Sequence, residues 1–319
     1  MSVITFIIVL AVAFVNGWTD APNSVSACVA TGVLPLNKAL KLAAISDFAG
    51  SVTFGLLSRK VTESVFELAK FKINNDIYIF SIFSVMISVV VFAVSAWCFG
   101  FPTSESHAIL AGLFGTSLCL NGGFENTDYS QWSDTFIGLI LSVITGFIFS
   151  YSVTKIFYSI TANSNSEKVY KYQIVSGMLT AFMHGAQDSQ KFTAIAVALF
   201  DSVNKRSFFV LHTVIALVIS FGILTGGDRI IKKIGNDLVS INHIQGFLAD
   251  FTGLLCLFCS TLTGIPVSTT HIKTSALMGA GSVKGRVDKK IALRLIMSWI
   301  LTFPICSSIS YFITRIIIK

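Results

Sequence analysis

Charge is what this chain has least of. Only 12% of its 319 residues are Asp, Glu, Lys or Arg, about half the share of an average soluble domain. Hydrophobic residues make up 53%, and the mean hydropathy is +0.76. A water-soluble globular domain is excluded, because apolar stretches long enough to span a bilayer recur along the whole chain. Cysteine offers no framework either. Cys28, Cys98, Cys119, Cys256, Cys259 and Cys306 lie in or beside apolar segments, and the Cys256-x-x-Cys259 pair has no His or second pair at zinc spacing. They read as small hydrophobes. A basic n-region is missing at the N-terminus, so the opening apolar run is not expected to be a cleavable signal peptide. The net charge of +7 then speaks of membrane topology rather than nucleic acid.

Ten apolar segments stand near 3–33, 38–57, 77–100, 102–121, 133–160, 172–200, 205–226, 244–263, 265–283 and 289–315. The expected fold is an all-α polytopic membrane protein. If all ten cross, one side carries Lys38, Lys41, Lys155, Lys168, Lys171, Arg229, Lys232, Lys233, Lys284, Arg286, Lys289, Lys290 and Arg294. The other carries Arg59, Lys60, Lys70, Lys72, Lys205, Arg206, Arg315 and Lys319. The larger set belongs inside, which places both termini outside. The loop 122–132, with no Lys or Arg, suits the outside. The stretches 58–71 and 228–241 have apolar residues at helical spacing opposite charges and read as helices lying on the membrane surface.

The two halves repeat. "GWTDAPN" at 17–23 aligns with "GAQDSQK" at 185–191, and "FPTSESHAILAGLFG" at 101–115 with "IPVSTTHIKTSALMG" at 265–279. An odd number of crossings per copy makes the second inverted; if 102–121 or 265–283 is re-entrant, the crossing count changes but the duplication does not. This gives a first repeat over 1–160, a polar linker over 161–171 and a second repeat over 172–319. The expected architecture is two inverted repeats of about five transmembrane segments, with broken helices at the midplane where the repeats meet.

The polar motifs interrupt segments that lipid would otherwise favour. Gly17 and Pro22 break a helix, and freed backbone groups inside a membrane must face protein, water or a ligand. Asp20 adds a buried charge, costly unless offset, and Asp188 repeats it in the second half. Thr103, Ser104, Ser106 and His107 of "PTSESH", and Ser268, Thr269, Thr270 and His271 of "PVSTTH", place hydroxyls at helix starts. Such starts suit a tetrahedral oxyanion, through free N–H groups and partial positive charge. The histidines are expected to orient these loops rather than bind a ligand.

Residue by residue, "GWTDAPNS", "GAQDSQKF", "FPTSESHA" and "IPVSTTHI", in this order and duplicated, resemble the inorganic phosphate transporter (PiT) family over nearly the whole chain. The resemblance implies a secondary carrier moving inorganic phosphate with a cation, sodium or a proton, in the plasma membrane. It involves no other cofactor and no nucleic acid, and a homodimer is among the expected assemblies. It implies coupling-ion residues Thr19, Asp20, Asn23, Gln187 and Asp188, with Asp20, Asn23 and Asp188 the candidates for sodium. It implies substrate contacts from Ser104, Glu105, Ser106, Lys191, Ser268, Thr269 and Thr270. The chain departs from the family pattern at four of these. Thr19 and Gln187 replace the Asn before each Asp, Lys191 replaces the last Asn of the second copy, and Glu105 stands opposite Thr269. Lys191 is then expected to be a built-in counter-ion with Glu105 as its partner or as a proton carrier; the other reading lets Lys191 snorkel to an interface.

Three other functions compete. A sulfate permease of the same family would use the same hydroxyls, but sulfate at neutral pH carries no proton to donate to a buried carboxylate. An intramembrane hydrolase could draw on Ser, His and Asp, yet Ser106 and His107 are adjacent and do not face each other on a helix. An anion channel would be opposed by buried acidic residues. The reading is therefore a transporter and not an enzyme.

Overall fold

The first helix, α1 (Ser2–Thr19), is the apolar opening run, and it stops where polar residues arrive. The backbone turns through a 3-10 segment (Ala21–Val25) with Pro22 in its first turn, then resumes as α2 (Ser26–Ala30). The computed structural model describes residues 1–71, 73–98, 103–161, 167–200, 203–226 and 231–318. Phe101 and Pro102 of the first hydroxyl motif, linker residues 162–166 and positions 228–230 of the second surface stretch lie outside the described residues.

The rest of the first half comprises α3 (Leu36–Leu57), α4 (Lys60–Leu68), α5 (Asn75–Cys98), α6 (Glu105–Leu120) and α7 (Ser130–Ile160). The second half comprises α8 (Glu167–Val197), α9 (Lys205–Thr225), a π-helical turn (Lys232–Leu238), α10 (His243–Thr263), α11 (Thr269–Lys284) and α12 (Lys289–Ile318). Two short strands, Val239–Ser240 and Arg286–Val287, pair antiparallel. Among the described residues, seven helical stretches are long and apolar enough to cross a membrane: 2–30, α3, 75–96, 132–160, α9, α10 and α12. The remaining three expected segments behave differently. α8 has the length but a polar middle. α6 and α11 have 16 residues each, about 24 Å of helix, short of a hydrocarbon core about 30 Å thick.

The second copy of the broken-helix motif is not broken. α8 runs through Asp188 without interruption. The position equivalent to Pro22 is Gln190, which keeps its backbone N–H and donates its side-chain amide to the Ala186 carbonyl (2.9 Å). A proline there would remove a ladder bond and clash with the preceding turn. The second surface stretch also differs from an ordinary amphipathic helix, forming a π-helical turn followed by a strand.

Among the described residues, the three most extensive helix pairings, and a fourth between α1 and α9, join one half to the other. α1 packs on α9 and α3 on α8; α6 packs on α12 and α7 on α11. The contacts are close because glycines make them. A Cβ on Gly17 would lie 2.0 Å from the Ile219 carbonyl oxygen, and one on Gly185 would lie 2.0 Å from that of Asp47. Gly115 against Ser307 and Gly279 against Phe147 repeat the relation in the other two pairs, at 2.0 and 2.3 Å. Small residues at crossings are how membrane helices gain packing where no hydrophobic drive separates lipid from protein.

The loops gather at two ends. At the first, Lys60 Nζ donates to the Leu262 carbonyl (2.9 Å) and Thr62 N–H to Gln190 (3.3 Å), while Phe6 packs on Phe200. At the second, Gln173 donates to Thr31 (2.8 Å), Asn242 to the Tyr158 hydroxyl (2.7 Å), and the strand pair closes. The second end is the one with the larger set of Lys and Arg. The perimeter between them is apolar, with Ile140, Ile148, Leu293, Ile300 and Phe312 all exposed, whereas Asp47, Glu105, Asp188, Lys191, Asp250 and Lys273 are buried. This inverts the soluble pattern.

Gly185→Ala should destabilise the fold by about 1–3 kcal/mol, because the new methyl meets backbone that cannot yield. Gly253→Ala, whose nearest neighbours lie at 3.7 and 4.0 Å, should be tolerated. Thermal unfolding of the two purified variants in detergent checks this; equal midpoints would show that the α3–α8 crossing does not depend on the missing Cβ.

Candidate functional site

Two helix starts meet at the centre of the molecule. Ser104 caps α6 by accepting from the His107 N–H (3.3 Å), and Ser268 caps α11 by accepting from the His271 N–H (3.2 Å). The capping hydroxyls bond each other, Ser268 donating to Ser104 at 2.9 Å. The His107 and His271 rings meet edge to face, 4.9 Å between centroids. The duplicated motif thus serves two ends: its first Ser closes the helix, and the residues one or two places later face the interior.

What they face is Asp188. Its Oδ1 accepts from Ser106 Oγ (3.0 Å) and Lys191 Nζ (2.8 Å); its Oδ2 accepts from Asn16 Nδ2 (3.1 Å) and Thr269 Oγ1 (3.3 Å). His184 Nε2 lies 3.3 Å from the same Oδ2, and its Nδ1 lies 2.8 Å from Asp47 Oδ1. One carboxylate therefore gathers groups from α1, α6, α8 and α11. Asn16 links it to Asp20, donating also to that residue's Oδ2 at 3.4 Å. Asp20, His184 and Asp188 present donor atoms within 4.8 Å of one another.

The other expected residues take separate places. Thr19 donates to Glu105 Oε1 (2.8 Å), with Thr103 at 3.4 Å from the same oxygen. Asn23 donates to Thr274 (3.0 Å). Gln187 turns away from the centre to Ser260 and Thr261 on α10 (2.9 and 3.4 Å). Lys191 is 1% exposed, so it does not snorkel. Its partner is Asp188 and the Val267 carbonyl (2.6 Å), not Glu105 as expected. Three residues of separation on α8 put Lys191 and Asp188 on one face, and Glu105 is already held by threonine hydroxyls.

Several buried polar atoms have no partner. Asn16 Oδ1, Asp20 Oδ1 and Glu105 Oε2 are acceptors without donors, and the Thr270 hydroxyl is unpaired. Buried polar groups are ordinarily bonded, so the centre carries an excess of acceptor oxygens. Such a set fits a hard cation, which takes oxygen ligands.

Sequence reasoning missed His184, Asp47 and the pair Asp250–Lys273. Asp47, Asp250 and Lys273 each sit inside an apolar segment, the same signal that marked Asp20. His184 stands four residues before Asp188, one helical turn away on the same face.

A profile of the phosphate transporter family matches residues 16–172 and 159–310, one stretch in each half. The chain is 30% identical to a probable low-affinity inorganic phosphate transporter of Bacillus subtilis (strain 168), over 99% of this chain and 98% of the relative. It is 32% identical to a protein of the same description from Rhizobium meliloti (strain 1021), over 93% and 90%. A solved structure, the sodium-dependent phosphate transporter, superposes with a TM-score of 0.86 over 99% of this chain and 98% of that one, at 17% identity. With the duplicated motifs, the crossed halves and a profile match spanning nearly all of its length, this integral membrane protein belongs to the phosphate transporter family.

Proposed function

We propose that the protein takes up inorganic phosphate across the plasma membrane in symport with a cation, sodium or a proton. The observation that carries this reading is the convergence of Ser106 and Thr269, from the first turns of two helices, on a single buried carboxylate. These hydroxyls, the helix N-termini behind them and Lys191 form a donor set for a tetrahedral anion. Asp188 holds those donors in this conformation. A cation on the unpaired oxygens of Asp20 and Asn16, shared with Asp188, draws that carboxylate away and releases the hydroxyls to phosphate. Cation and anion then bind best together, which is the requirement for coupling. Phosphate is favoured over sulfate because its own proton can be donated to a buried carboxylate such as Glu105, whose Oε2 lacks a donor. The end with more Lys and Arg faces the cytoplasm, which leaves both termini outside. Labelled phosphate and sulfate uptake into proteoliposomes, with sodium and pH gradients imposed separately, tests this. Concentrative phosphate uptake driven by one gradient is the expected result. Flux that only follows the phosphate gradient, or equal transport of sulfate, would sink the reading.

Ser106→Ala or Thr269→Ala removes a hydrogen bond to a charged group, about 1.5–3 kcal/mol. Phosphate affinity should fall about 10- to 100-fold, as measured by the concentration dependence of uptake. Unchanged affinity in both variants would place the anion elsewhere.

Lys191→Asn strands Asp188 and should cost about 3–5 kcal/mol, whereas neutralising both members of a buried pair is milder. A Lys191→Asn, Asp188→Asn double variant should therefore recover most of the lost thermal stability while still failing to couple uptake to a cation gradient. Recovery of coupled uptake along with stability would reduce the pair to a structural role.

A further inference from the structure

A second buried lysine stands on the opposite side of the centre from Lys191. Asp188 lies in the last third of α8, and Lys191 follows it by about one turn toward the first end, where Gln190 meets Thr62. Thr269 opens α11 at the centre, and Lys273 follows it by about one turn toward the second end, where Gln245 donates to the Ala280 carbonyl (3.0 Å). Lys273 is 2% exposed, and its ammonium is paired with Asp250 Oδ1 on α10. The other oxygen of Asp250 accepts from Cys28 Sγ (3.7 Å). Nothing in the central site uses this pair.

Lys273 also borders a small cavity with Asp20, Asn23, His184, Thr269 and Thr270. The cavity has room for about one water molecule. Two of its lining groups are buried and unpaired, the Thr270 hydroxyl and Asp20 Oδ1. Asp20 Oδ1 is the oxygen assigned above to the cation, so the cavity offers an anion one donor, the Thr270 hydroxyl, and one positive charge, from Lys273. A hydroxyl without a partner donates to an oxygen of the oxyanion, and the ammonium balances the charge.

We propose that this cavity is a second station for the phosphate anion, between the central donors and the second end of the bundle, and that Lys273 is its ligand, exchanging Asp250 for the anion as the cavity widens. The inference rests on the reading of the centre as a phosphate site. In the resting arrangement Asp250 keeps the ammonium from lying unpaired; when the anion moves one turn along α11, Lys273 turns to it. The two lysines flank the centre along the transport path, one toward each end.

The test uses the full-length protein, purified and in vesicles, with inorganic phosphate as the probe. Three measurements are made on the wild type, Lys273→Gln, Lys273→Arg and the Lys273→Gln, Asp250→Asn double variant: thermal midpoint, phosphate affinity by calorimetry, and exchange of labelled phosphate across the vesicle membrane. The expected result for the double variant is wild-type stability and central affinity within about threefold, with exchange slowed at least tenfold, since the stranded charge is gone but the station has lost its ammonium. Lys273→Arg should retain exchange better than Lys273→Gln, because it retains the charge. If the double variant recovers exchange together with stability, the pair is structural and the station is overturned. If Lys273→Arg is as slow as Lys273→Gln while both are stable, positive charge at this position is not what matters, and the proposal fails as well. Absence of phosphate binding by the wild type would overturn the reading of the centre itself, and the station with it.

Discussion

The meeting of α1, α6, α8 and α11 is arranged around the carboxylate of Asp188. A charge in a membrane interior is costly unless hydrogen bonds and counter-charge surround it. Asn16, Ser106, Lys191 and Thr269 supply them, from α1, α6, α8 and α11. Those helices come from both halves of the chain, so the charge cannot be satisfied until the halves are interlocked. The polar motifs and the fold are in this sense one requirement: the carboxylate joins the two hydroxyl-bearing helix starts to α1 and α8.

Interlocking demands that backbones approach closely, and glycine permits this at matching places in the two repeats. Gly17 and Gly185 are the first residues of the repeated motif, and each touches a carbonyl of the helix from the other half. The motif glycines are therefore packing residues. The aspartates three positions later, Asp20 and Asp188, are placed by that packing. A helix held by backbone-to-backbone contact leaves little freedom for the side chains one turn along it, which is how a site inside a bundle keeps sub-ångström order.

How much of this was legible beforehand follows from which rule each residue obeys. The duplication, the polar centre and the two hydroxyl-bearing helix starts follow from a pattern that lipid would not tolerate by accident. The continuity of α8 was also readable, since "GAQDSQK" has no proline where "GWTDAPN" has Pro22, but symmetry with the first copy outweighed that local signal. The partner of Lys191 was assigned to Glu105 because both depart from the family pattern; the helical spacing to Asp188 was the stronger argument. Asp47 and His184 each carried a local signal, but their pairing did not, since no local spacing brings Asp47 of α3 beside His184 of α8. Whether 102–121 and 265–283 span or are re-entrant stayed open for another reason. Hydropathy counts apolar residues but does not show that a 16-residue helix starts at the centre and ends at one face.

The repeats are symmetric in backbone and asymmetric in charge. Asn23 occupies the position equivalent to Lys191, Ile109 the position equivalent to Lys273, and Thr269 the position equivalent to Glu105. Both buried lysines of the centre thus belong to the second half, and the additional carboxylate belongs to the first. Inverted halves with identical side chains would present the same potential to both sides of the membrane, and inward and outward states would differ only by what surrounds them. Here they differ from within. On the side facing the first end, Lys191 is tied to Asp188 itself, the hub to which Ser106 and Thr269 donate. On the side facing the second end, Lys273 is tied to Asp250, which belongs to α10 and bonds none of the central donors. Movement of the first ammonium disturbs the hub, and movement of the second does not. The surroundings of the two ammoniums are therefore unequal, with the side-chain substitutions rather than the fold setting the inequality.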